Sequence, residues 1–124
     1  IDIRRLDDPA TRRDLDRACR EWGFFQVTGH GLPQALLEAV HARMREFFAL
    51  PTAEKRAIER TGANAWGYFD RELTKNVRDW KQIFDVGPVQ HEGPLAGCVP
   101  QWPVSLPAFR PTVLAYYEAC ERLA

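Results

Sequence analysis

Apolar positions alternate between helical and strand spacing along this chain, with short punctuation between the patterns. Leu15, Ala18, Cys19 and Trp22 fall at i, i+3, i+4 and i+7, one face of a helix. Asp8 suits an N-cap and Pro9 a first helical position, so the pattern predicts a helix over 9–22, ended by Gly23. Residues 24–28, Phe-Phe-Gln-Val-Thr, are aromatic and β-branched and read as a short buried strand. Gly29-His30-Gly31 is a tight turn, and Pro33 opens a second helix with Leu36, Leu37, Val40, Met44, Phe47 and Phe48 as its apolar stripe. Pro51 ends that helix, and Thr52 is expected to cap a third reaching about residue 59.

The flanks are less regular. Residues 1–6 read as an edge strand and 61–65 as a loop. Strands over 66–69 and 82–86 are expected to face each other across a polar stretch, 71–79. Residues 87–105 hold four prolines and three glycines, too broken for regular structure. A last helix should begin between 105 and 111, burying Val113, Tyr116, Tyr117, Cys120 and Leu123.

At 124 residues the chain allows one domain, 1–124, with a modest core. Seventeen basic and seventeen acidic side chains cancel, so bulk charge draws it neither to nucleic acid nor to an anionic membrane. No apolar run approaches the ~20 residues of a membrane span. Cys19, Cys98 and Cys120 are odd in number without metal-like spacing, which favours reduced thiols and a cytoplasmic setting. Both ends read as cut: 1–3 like the tail of a strand, and the final helical pattern without a stop signal. The expectation is a piece of a longer chain.

The run Trp22-Gly23-Phe24-Phe25-Gln26-Val27-Thr28-Gly29-His30-Gly31-Leu32 resembles the N-terminal signature of iron(II)- and 2-oxoglutarate-dependent dioxygenases, the branch that includes isopenicillin N synthase. Gly29 stands where many members have Asn. Later landmarks agree in order: Phe47 to Pro51 with Glu54-Lys55, Gly67-Tyr68, Asp79-Trp80-Lys81 with Phe84, Trp102-Pro103, and Pro107 with Phe109-Arg110. The resemblance implies an α+β fold, the N-terminal helix-and-strand lobe flanking a double-stranded β-helix (jelly roll) whose core lies mostly outside this segment. It implies an enzyme that uses Fe(II), 2-oxoglutarate and O2 to hydroxylate, desaturate or cyclise a small organic substrate, with the C-terminal half of the same chain as the lobe's partner. Isopenicillin N synthase itself needs no keto acid, and that variant stays open.

The iron site of such enzymes is a facial triad of two His and one carboxylate. In this family two of the ligands form His-x-Asp or His-x-Glu. Here His30, His41 and His91 are followed two residues on by Leu32, Arg43 and Gly93, so no catalytic, cofactor or metal ligand is assigned within the segment. His30 is read as an imidazole bonding nearby backbone to fix the turn into the second helix. His41 is read as solvated or partly packed. The Met44, Phe47, Phe48 stripe is read as core, and Trp80 as core or half-buried packing. Strand alternation is expected to keep the charges of the Asp79-Trp80-Lys81 run from sharing one site. By family position, the Gly-Tyr pair and the loop after it touch the primary substrate, which makes Tyr68, Phe69, Glu72 and Lys75 the candidate substrate-binding residues. A different reading is a stand-alone α/β module that binds a partner through exposed aromatics.

Overall fold

The rings of Phe47 and Phe109, both fully buried, meet with centroids 5.0 Å apart and tie the second long helix to the last. In the computed structural model, which describes residues 1–89 and 91–123, the helices are α1 (Pro9–Glu21), α2 (Gln34–Ala49), α3 (Thr52–Arg56) and α4 (Phe109–Glu121). The strands are β1 (Gly67–Phe69), β2 (Leu73–Thr74), β3 (Val77–Arg78) and β4 (Ile83–Asp85). β1 pairs antiparallel with β4, and β2 with β3, as two separate sheets. The described residues are thus α+β, and no barrel closes among them.

Local chemistry accounts for most boundaries. The Asp8 carboxylate accepts from the Ala10 N–H at 2.9 Å and caps α1, with Pro9 in the first turn. Gly23 ends it at φ +75°, in the left-handed region that suits glycine. The Leu50-Pro51 pair turns extended and stops α2. Pro51, not Thr52, is the capping residue of α3, and no side-chain bond closes that end. Pro111 falls in the first turn of α4, where its missing N–H costs nothing.

The core gathers Val40 and Phe47 of α2, Tyr68 of β1, and Phe109 and Val113 of α4. Met44, Phe48, Phe84, Trp102 and Tyr116 pack around them, so the α2 stripe is core from Val40 to Phe48, while Leu36 and Leu37 at its start are only half-buried. The buried face of α4 is drawn by Phe109, Val113 and Ala119; Tyr117, Cys120 and Leu123 are only half-buried. The irregular stretch after β4 is laced down by side-chain amides. Asn64 exchanges two hydrogen bonds with the Val99 backbone, at 2.9 and 3.2 Å, and Gln101 Nε2 donates to the Trp66 carbonyl at 2.8 Å.

Three expectations fail near the N-terminus. Residues 1–6 form one 3-10 turn, Ile3–Arg5, rather than a strand. Residues 24–28 make only an isolated parallel bridge, Asp2 to Thr28, and Phe24 is 72% exposed rather than buried. The ladder there is two backbone bonds long, Thr28 N to Ile1 O and Ile3 N to Thr28 O, which is too short to register as a strand. No α1 residue is buried and Trp22 is 71% exposed; Leu15 of its apolar stripe lines a shallow cavity with Ile1, Ile3, Phe25 and Val27.

The polar stretch after β1 departs from a plain loop. β2 and β3 form a hairpin whose two-residue turn is Lys75-Asn76, at φ 52° and 61°. Both values are positive, the geometry that lets a two-residue turn follow strand twist.

Candidate functional site

The β1–β4 pair has two faces, and its register decides what each carries. Gly67 opposes Asp85, Tyr68 opposes Phe84, and Phe69 opposes Ile83. Side chains alternate along a strand, so Tyr68 and Phe84 share one face while Phe69, Ile83 and Asp85 share the other. The first face enters the aromatic core, where Phe84 lies 4.9 Å from Phe47 and 5.1 Å from Phe109, centroid to centroid. The second face is half-buried and has no core of its own behind it.

Charge organises that second face. The extended segment after α3 runs beside β1, with Tyr68 N–H donating to the Ile58 carbonyl at 2.9 Å and Arg60 N–H to the Tyr68 carbonyl at 3.0 Å. From this position the Arg60 guanidinium lies 3.9 Å from the Phe69 ring centre and donates from Nη1 to Asp85 Oδ2 at 2.7 Å. Arg71 approaches the same ring more loosely, at 6.0 Å, and pairs with Glu59 at 2.6 Å.

The four residues singled out by position are not brought together. Phe69 lies on the open face. Tyr68 is 1% exposed, with its ring in the core and its hydroxyl donating to Gln82 Oε1 at 3.1 Å. Glu72 pairs with Lys81 at 3.1 Å, and Lys75 sits at the tip of the β2–β3 turn. Ile83, Asp85 and Arg60 were not singled out from the sequence. The first two were findable from alternation once the Gly67–Tyr68–Phe69 register was fixed, but Arg60 needed the fold.

On the other side of the pair is a polar cleft of about 330 Å³, lined by Arg56, Asp70, Arg78, Trp80 and Lys81 among others. Burial tends to raise the carboxyl pKa of Asp70, but the hydrogen bond and charge of Arg56, 3.0 Å away, outweigh it and hold it below the usual range. The phenol of Tyr68 is pushed above its ordinary value, first by burial and then by the negative charge of Asp70. Trp80 is 82% exposed, not packed, with the Arg78 guanidinium 4.6 Å over its ring. Asp79 and Lys81 do meet, at 3.4 Å. They stand two apart, which puts them on one side of an extended chain, and the Asp79 carboxylate also accepts the Lys81 N–H at 3.2 Å.

His30 Nδ1 accepts from the Leu32 N–H at 3.0 Å and so fixes the turn into α2. Among the described residues no three His, Cys, Asp or Glu side chains converge as metal ligands, so these residues do not fit an iron site. Among them, too, no helix is long and apolar enough to cross a membrane.

A family model described as the N-terminal region of the non-haem dioxygenase in morphine synthesis matches residues 1–105. The chain belongs to this family. A flavonol synthase/flavanone 3-hydroxylase of Matthiola incana is 33% identical over 110 residues, 89% of this chain and 38% of that protein. A homoarginine-6-hydroxylase of Arabidopsis thaliana is 33% identical over 152 residues, covering 100% of this chain and 44% of its own. The crystal structure of JOX2 in complex with 2OG, Fe and JA superposes with a TM-score of 0.75 at 31% identity, over 99% of this chain and 36% of JOX2. This dioxygenase-family chain therefore spans less than half the length of these relatives.

Proposed function

We propose that this chain is the N-terminal domain of an iron(II)- and 2-oxoglutarate-dependent oxygenase that hydroxylates, desaturates or cyclises a small organic substrate. The open face of the β1–β4 pair, Phe69 with Ile83 and Asp85, forms one wall of the substrate pocket. The observation that carries this reading is the two-faced register: one face is consumed by the chain's own aromatic core, and the other presents an aromatic ring and a charged pair to whatever packs beyond. Family membership and the likeness to JOX2, solved with 2OG and Fe, support the reaction class.

Iron and the keto acid would be held by residues outside the described ones, next to a jelly-roll barrel, and would supply the oxidising chemistry. This domain's part is to shape and close the pocket. Phe69→Ala in the intact enzyme should raise the substrate KM or release succinate without matching product. Unchanged kinetics and unchanged coupling would remove the wall from the proposal. Turnover in the absence of 2-oxoglutarate would instead favour an oxidase of the isopenicillin N synthase type.

A further inference from the structure

An aromatic face with a carboxylate beside it is the environment that holds a guanidinium or ammonium ligand. Phe69 and Asp85 make such a pair, and the chain's own Arg60 fills it, 3.9 Å from the ring centre and 2.7 Å from the carboxylate. Arg60 comes from a neighbouring segment, held to β1 by its backbone N–H, which donates to the Tyr68 carbonyl at 3.0 Å. The side chains of Arg60 and Asp85 are 30% and 34% exposed, so a small solute can reach the pair. Gly67, opposite Asp85, has no Cβ, and one there would run into the Ile58 carbonyl and the Arg60 backbone nitrogen, so the glycine lets the segment that carries Arg60 approach β1.

We propose that Arg60 is a specificity-determining residue that occupies, as a built-in ligand, a cation subsite formed by Phe69 and Asp85. The pocket wall then meets its substrate as a neutral pair and discriminates against guanidinium and ammonium groups. Arg71, 6.0 Å from the same ring, adds a second positive charge against any incoming cation. Removing the Arg60 guanidinium leaves a partly desolvated carboxylate with no partner beside a bare ring. An external cation is what restores that balance. This inference rests on the reading of that face as a pocket wall.

The test uses the full-length enzyme and methylguanidinium as probe, titrated calorimetrically at constant ionic strength. Arg60→Gln should bind the probe about tenfold or more tighter than wild type, and Arg60→Gln/Asp85→Asn should lose the gain. Arg60→Ala gives the same readout should the glutamine variant fail to fold. Equal affinity in wild type and the Arg60 variants, or a gain that survives Asp85→Asn, overturns the subsite. The two readings separate cleanly. A KM rise on Phe69→Ala with no gain of probe binding defeats the subsite and leaves the wall. A gain of probe binding with unchanged Phe69→Ala kinetics supports the subsite and defeats the wall.

Discussion

Lys55 Nζ stands 2.8 Å from the carbonyl oxygen of Phe48 and closes the end of α2 from inside the next helix. The last carbonyls of a helix have no partner within it, and the Leu50-Pro51 turn carries the chain away before another N–H can arrive. Lys55, only 4% exposed, reaches back to supply the donor and also donates to Gln82 Oε1 at 2.8 Å. Its ammonium lies 5.5 Å from the Tyr68 ring centre. Lys55→Met should therefore orphan a partly buried carbonyl and lower stability by about 1–3 kcal/mol, read as a lower urea midpoint. An unchanged midpoint would mean that water replaces the ammonium.

Phe47 touches four aromatic partners, Phe48, Tyr68, Phe84 and Phe109, at centroid distances of 4.9 to 6.2 Å. It is the point where α2, α4 and the β1–β4 pair meet. Phe47→Ala should cost about 3–5 kcal/mol, while Phe47→Leu should cost distinctly less because most of the volume remains. Denaturant melts of the two variants decide it; equal losses would show that the site tolerates a cavity.

Gly67 and Gly31 both have positive φ, +133° and +72°, yet they should respond differently to alanine. A Cβ at Gly67 would run into the Ile58 backbone carbonyl oxygen, whereas one at Gly31 meets nothing within 4 Å. Gly31→Ala pays only for the left-handed backbone, about 1 kcal/mol, but Gly67→Ala should cost at least about 2 kcal/mol. The comparison needs only two thermal midpoints, and a reversed order would refute the close approach of the 58–60 segment to β1.

The Tyr68 phenol gives a stability signal at alkaline pH. Burial, with Asp70 nearby, raises its folded pKa above the ordinary 10.0. Its contribution is therefore fully present below the unfolded value and is lost as pH rises through the folded one. Tyr68→Phe should flatten that alkaline decline, and ultraviolet titration of wild type should show a tyrosine ionising later than the free phenol. Because Tyr68→Phe also removes the hydrogen bond to Gln82, the informative quantity is the slope with pH, not the absolute stability.

The helices were legible for different reasons: α1 from its Asp8-Pro9 start and Gly23 stop, α2 from the apolar spacing of Val40 to Phe48, and α4 from its spacing alone, with its start left open because no side chain caps it. The segment 24–28 was not, because aromatic and β-branched composition signals strand preference but not the neighbour that a strand requires. Lys55 escaped for the opposite reason: its type argues for solvent, and only the α2–α3 turn shows why it is buried. At the proposed wall, Phe69 was singled out by family position; Ile83 and Asp85 were not, although alternation places them on its face once the register is known. Arg60 was hidden because its partnership joins residues 25 apart.

Trp22 and Trp80 supply an optical test of how the domain is seated. Both are largely exposed, whereas Trp66 and Trp102 are half-buried, so the first two should emit to the red and be quenched first by acrylamide. Phe24, two residues beyond Trp22, is 72% exposed as well, so the end of α1 offers aromatic side chains to a neighbour. If that end rests on the remainder of an oxygenase, quenching of Trp22 should fall sharply in the full-length protein relative to the 124-residue polypeptide. Trp22→Phe should abolish the difference, and Trp80→Phe should leave it intact. Equal quenching of Trp22 in both proteins would argue against this seating and favour a module whose aromatic face is presented to a separate partner.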